Sequence, residues 1–125
     1  MFSVLIVDDN PGMAAALYDI LVLEGFTTFQ ASSGAKALEI LGDHPMDVLI
    51  TDVIMPEMDG VELYRRTRQA YPQLITVLMT AYAADELIQR GMSEGIKTVL
   101  TKPIDIDFLI LLLNAYRKRR DAGMQ

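Results

Sequence analysis

The chain has no cysteine, no tryptophan and a single histidine in 125 residues. Without cysteine there is no disulfide framework, no thiolate metal site and no sulfur nucleophile, a usage that fits a reducing compartment such as the cytoplasm. Long apolar runs are also missing. The longest, Phe108 to Leu113, is far too short to span a bilayer, so no membrane role is expected. Basic residues are in the minority: 11 Lys and Arg against 17 Asp and Glu leave a formal charge of -6. Such a chain is poorly suited to a phosphate backbone, and no direct nucleic-acid binding is expected. Its one basic cluster, Arg117 to Arg120, reads as the solvated end of a helix, where cations suit the dipole. His44, beside Pro45, reads as a solvated loop residue. The first nine residues lack a basic leader and a long apolar region and read as a strand rather than a signal peptide. What remains is an ordinary globular composition, 51% hydrophobic and 22% charged, of a length that fits one domain.

Apolar runs alternate with helical periods throughout. Strands are expected at 2–7, 27–31, 47–52, 74–79 and 98–101. The helix from Asn10-Pro11 carries Ala14, Leu17 and Leu21 at helical spacing and stops at Gly25. A second, about 33–41, is read with Ala35, Leu38 and Leu41 inward and Gly42 as its end. A third, about 60–70, opens on the capping-box spacing of Asp59 and Glu62 and closes before Tyr71-Pro72. A fourth, about 84–94, is weakened by Gly91, which costs about 1 kcal/mol against Ala, and is expected to be the most mobile. The last runs from Asp105 or Asp107 to Arg119. Five strand-helix units in alternation imply an α/β fold, a five-stranded parallel sheet with helices on both faces, and at this size the flavodoxin-like order 2-1-3-4-5.

The stretch Asp47-Val-Leu-Ile-Thr-Asp52, followed by a Pro/Asp/Gly loop, is central to that arrangement. Asp52 stands at the carboxyl end of a buried strand, the edge where open α/β sheets bind ligands. The order 2-1-3-4-5 brings Asp8 and Asp9, at the end of the first strand, next to it. Like charges about 4 Å apart repel by roughly 4 kcal/mol at an effective dielectric near 20, so three carboxylates need protons or a cation. With oxygen donors only, Mg²⁺ or Mn²⁺ is the natural ion. Thr80 and Lys102, at the next two strand ends, add a hydroxyl and an ammonium. A carboxylate nucleophile with these groups around it has the parts to receive and hold a phosphoryl group.

These residues, together with Met55-Pro-Glu-Met-Asp-Gly60, Thr80-Ala81 and Lys102-Pro103, resemble the receiver domain of two-component response regulators over nearly the whole chain. The resemblance implies a receiver domain over 1–120, with 121–125 as a tail or the start of a linker. It implies that Asp52 accepts phosphate from the phosphohistidine of a sensor histidine kinase or phosphotransfer protein. Asp9, Asp52 and the backbone carbonyl of Ile54 would hold the metal, with Asp8 assisting through water. Thr80 and Lys102 would engage the phosphoryl group, and the Lys102–Pro103 bond would be cis. The domain would then work as a switch of partner binding, catalysing only its own phosphotransfer and dephosphorylation.

The chain departs from the family at Val99, where a Tyr or Phe usually relays the switch; Tyr82 is read as a substitute that also gates water. The apolar run at 108–113 exceeds what one sheet face buries and suggests a homodimer through the fourth helix, fifth strand and last helix. Three rival readings fit the residues less well. A haloacid-dehalogenase-type phosphohydrolase needs an acid two residues after its nucleophile, where this chain has Ile54. A flavodoxin-like electron carrier would not place three carboxylates at its phosphate site. A pseudo-receiver that only binds partners would not need the intact set.

Overall fold

The computed structural model describes residues 1–81 and 85–123. Its elements alternate without exception: β1 (Ser3–Val7), α1 (Pro11–Leu23), β2 (Thr27–Ala31), α2 (Gly34–Asp43), β3 (Val48–Asp52), α3 (Gly60–Ala70), β4 (Ile75–Thr80), α4 (Glu86–Ser93), β5 (Thr98–Thr101) and α5 (Ile106–Asp121). All four strand pairings are parallel, and the order is β2-β1-β3-β4-β5. This is the expected sheet. Adjacent residues of β1 serve opposite faces. Val4 and Ile6 meet α1 and α5 through Leu17, Leu21, Leu109 and Leu113, while Leu5 and Val7 meet α2 and α3 through Ala37, Leu41 and Leu63. α4 closes a smaller cluster, with Ile88 against Leu78, Val61 and Ile96.

Every helix begins on a side-chain cap of the kind that satisfies its free N–H groups: Asn10, Ser33, Asp59, Asp85 and Asp105 each accept from one or two amides of the first turn. At Asp59 only half of the expected box forms. Asp59 Oδ1 accepts from Glu62 N at 2.8 Å, but the Glu62 carboxylate turns to Arg66 at 3.0 Å.

Some expectations need correcting. In α2 Leu41 is buried and Leu38, half-buried, packs against the same cluster as expected, but Ala35 is exposed and the other buried positions are Gly34 and Ala37. The reason is close packing at its start, where a Cβ at Gly34 would lie 3.1 Å from carbon atoms of Met58. Gly42 does not end that helix, which runs on to Asp43. His44 is exposed as expected, yet its ring lies 4.7 Å from that of Phe29. The basic end of α5 is more than a solvated terminus. Arg120 donates to Asp47 Oδ2 at 3.0 Å and to the carbonyl of Met1 and lies over the ring of Phe2, while Arg117 lies over Phe26.

Asp47 is the junction of that corner. Its Oδ2 accepts from Ser3 N at 2.8 Å as well as from Arg120, its N–H donates to Ser3 O, and its carbonyl accepts from Ile75 N. One residue thus ties the starts of β1, β3 and β4 to the end of α5. Asp47→Ala leaves the partly buried Ser3 amide without its acceptor and takes one of several acceptors from Arg120, and we expect a loss of about 1–2 kcal/mol in urea unfolding with an unchanged m-value.

Candidate functional site

At the carboxyl edge of the sheet, β1 and β3 end side by side, with Val7 opposite Thr51. Asp8 follows directly and is fully buried. Its N–H donates to Ala31 O, and its Oδ1 accepts from Asn10 N at 2.9 Å, so the turn into α1 fixes the carboxylate. Asp52, the last residue of β3, has a side chain 13% exposed; its Oδ1 accepts from Val53 N at 2.9 Å. Lys102, just past β5, reaches across with its Nζ 3.2 Å from Asp52 Oδ2 and 3.3 Å from Asp8 Oδ2. Its own N–H donates to Thr80 O at 2.8 Å, which ties its position to the end of β4.

Asp8, exposed Asp9 and Asp52 each offer a carboxylate oxygen, and these atoms lie within 4.8 Å of one another. Three negative charges face one ammonium, so the cluster retains a surplus of two. The proton equilibria show the imbalance. Burial pushes the Asp52 carboxyl above its ordinary range, Lys102 pulls it back, and the charge of Asp8 raises it again; the net direction is up. Burial pulls the Lys102 ammonium down, but hydrogen bonding and charge from Asp52 and Asp8 outweigh it and raise it. One cation faces two carboxylates, so pairing outweighs burial at Lys102 but not at Asp52. All donors are hard oxygens, two of them nearly buried, and the geometry suits a divalent cation of that preference.

The loop after β3 is built to hold this shape. Met55 is buried, Met58 N donates to Pro56 O at 2.7 Å, and Glu57 adopts φ 69. Gly60 closes the loop with its N–H on Val53 O at 2.8 Å, and a Cβ there would fall well under 3.0 Å from the carbonyl oxygen of Asp52. Ile54, 57% exposed, lies between them. Thr80 is buried at the end of β4, in register with Thr101. The Lys102–Pro103 bond is cis, as the resemblance implies. Sequence reasoning therefore named the carboxylates and the lysine that converge here.

Val99 is half-buried in the cluster with Ile88 and Ile96, pairs in register with Leu78 and fills an ordinary packing position. Tyr82, read as its substitute, lies outside the described residues.

An anchor of α4 escaped sequence reasoning. Glu94, its C-cap, accepts two bonds from Arg65 Nε at 2.9 and 3.1 Å and one from Arg65 Nη2 at 2.7 Å, and Arg68 lies 3.5 Å away. Tyr64 donates its hydroxyl to Glu94 O at 3.0 Å. The partners are 29 positions apart, and no local pattern connects them.

The sequence pattern of the response regulator receiver domain matches residues 4–114. Sporulation initiation phosphotransferase F of Bacillus subtilis is 36% identical over 105 residues, covering 84% of this chain and 85% of that protein. Sensor histidine kinase RcsC of Escherichia coli is 36% identical over 123 residues, 95% of this chain but 13% of that protein. Among solved structures, the chemotaxis protein CheY4 of Vibrio cholerae superposes with a TM-score of 0.86 at 29% identity, over 93% of this chain and 98% of that one.

Proposed function

Because the chain belongs to the response regulator receiver domain family, whose members are phosphorylation-controlled signalling switches rather than turnover enzymes, we propose that Asp52 is the phosphoacceptor of this one. The observation that carries the reading is the convergence of Asp8, Asp9 and Asp52 within 4.8 Å, with Lys102 held against two of them.

A bound Mg²⁺ or Mn²⁺ supplies positive charge that neutralises the oxygens of the incoming phosphoryl group. Asp9 and Asp52, with the carbonyl of Ile54, would hold it, and Asp8 would meet it through water. Asp52 Oδ2, released by Lys102, attacks phosphorus; the P–N bond of the donor's phosphohistidine breaks as the O–P bond forms, and the imidazole leaves with the electron pair. Val53 N–H fixes the plane of the attacking carboxylate. Lys102 moves from the carboxylate to a phosphoryl oxygen, and Thr80 supplies a hydroxyl from the end of β4. The product carries more charge and more acceptors than the carboxylate did. That change biases an equilibrium of the loops after β3 and β4 and of α4.

Receiver domains interact with histidine kinases or phosphotransfer proteins, and the rim of this site suits such a partner. Met13 in the first turn of α1, Ile54 in the loop after β3 and Phe108 in the first turn of α5 are large apolar side chains exposed at the same edge of the sheet. Further along α5, Leu111 is 68% exposed, which supports self-association through that helix with α4 and β5. Among the described residues no helix is long and apolar enough to cross a membrane, and we place the domain in the cytoplasm, where its kinase partner keeps its phosphohistidine.

The test is incubation with a small-molecule phosphodonor followed by intact mass. One phosphoryl group per chain is expected with Mg²⁺ and none with excess chelator; wild type that stays unmodified with Mg²⁺ refutes the reading. In sedimentation velocity the loaded sample is expected to associate more than the unloaded one, and a monomer in both removes the dimer.

A further inference from the structure

The opposite edge of the sheet holds a cavity of about 610 Å³, within the range of about 300–1,000 Å³ usual for small-ligand sites. It is bounded by the starts of β3, β4 and β5 and the ends of α3 and α5. Its lining pairs aromatic rings with cations. Tyr64, whose ring already has the Arg68 guanidinium 5.6 Å from its centre, Tyr71 and Tyr116 stand in the lining with Ile75 and Ile96. Two of the tyrosines have their hydroxyls engaged within the fold, Tyr64 on Glu94 O and Tyr116 with Thr98 Oγ1, so their rings are fixed in place.

Four cations line the same cavity: Arg68, Lys97, Arg119 and Arg120. Arg68 is committed to Glu94, and Arg120 to Asp47 and Asp121. Lys97 and Arg119 have no acidic partner among the described residues, and both are exposed. No Asp or Glu stands three or four positions from Arg119, on either side, to pair with it along α5. The ends of α3 and α5 each bring about half a negative charge to this edge. Two whole positive charges exceed that, so the cavity is locally positive in a chain whose net charge is -6. Rigid rings beside unspent cations form a site for a flat ring that carries negative charge.

We propose that this cavity binds a small aromatic anion of the nucleoside monophosphate class, the ring against the tyrosines and the phosphate between Lys97 and Arg119. The site is independent of the phosphoacceptor reading, since it shares no residue with the acidic cluster.

The experiment is calorimetric titration of the full chain with AMP at low salt and without divalent cations, alongside adenosine and inorganic phosphate. Saturable binding of AMP at or below roughly 1 mM is expected, with adenosine and phosphate each weaker by about tenfold or more. Lys97→Gln with Arg119→Gln removes two charged contacts and should weaken AMP by at least about tenfold. A cooperative thermal melt of the same variant near the wild-type Tm serves as the check that it folds. Three outcomes overturn the proposal: no saturation at millimolar AMP, equal binding by the double variant, or binding that requires Mg²⁺ and disappears in Asp52→Asn, which puts the ligand at the acidic edge.

Discussion

Asp52→Asn should take up no phosphoryl group under conditions that load the wild type to one per chain. Asn has nearly the same shape and can keep the bond from Val53 N–H, so the loss isolates the nucleophilic oxygen rather than the fold. Asp9→Asn and Lys102→Gln should leave a slower, residual reaction, because each removes a supporting charge and spares the nucleophile. Adduct on Asp52→Asn at wild-type rate would move the phosphoacceptor elsewhere.

The same substitution carries a second signature that is independent of chemistry. The folded chain holds the Asp52 carboxyl above its ordinary value of 3.8, with burial as the first cause. The unfolded chain therefore ionises first as pH rises. The resulting penalty on folding is absent below the unfolded value, grows between the unfolded and folded values, and is complete above the folded one. Asn never ionises. In the absence of divalent cations Asp52→Asn should raise Tm at neutral pH, with the advantage vanishing at low pH. Saturating Mg²⁺ should reverse the order, since a ligand that binds only the folded wild type stabilises it by mass action. A Tm advantage independent of pH would dissociate it from this carboxyl.

Gly60→Ala should be the most damaging single methyl group in the molecule. A Cβ at Gly60 would fall well under 3.0 Å from the carbonyl oxygen of Asp52 and 3.1 Å from Val53 Cα, and both are backbone. Backbone at the end of a central strand cannot yield as a side chain can. A cost of about 3 kcal/mol is expected, the upper end of ordinary overpacking, which at this chain length lowers Tm by roughly 10 °C. Gly34→Ala is the control. The three atoms its Cβ would come nearest all belong to the side chain of Met58, the nearest being its movable sulfur, so the loss should be smaller by a factor of two or more. Equal losses in thermal melts would show that the loop after β3 is softer than its contacts imply.

How much of this was legible beforehand follows from where local signals act alone. The bounds of β2, α3 and β5 were read correctly because punctuation sets them: Asp59 caps α3, and proline follows both α3 and β5. The acidic cluster was legible because strand order and strand ends suffice to place it. On the inward face of α2 Leu38 and Leu41 were legible but Ala35 was not, because Ala35 and Ala37 look alike in sequence and the approach of Met58 to Gly34 favours the phase that buries Ala37. Gly91 read as a defect of α4. In the fold a Cβ there would lie 3.2 Å from both Ile96 and Val61, so the missing methyl group lets α4 lie close against α3 and the start of β5. Arg65 with Glu94, and Arg120 with Asp47, join residues 29 and 73 positions apart, and pairings at that range leave no trace in a local pattern.

The corner at Asp47 also bears on how the chain is laid out as a path. Arg120 touches the backbone of Met1, so the described chain returns nearly to where it started and encloses the sheet like a ring with a small gap. The gap lies at the edge away from Asp8, Asp52 and Lys102. Strand order is then a property of the ring rather than of the point at which it is cut. A tether joined at either side of the gap leaves the acidic edge unobstructed, with the full height of the sheet between attachment and chemistry.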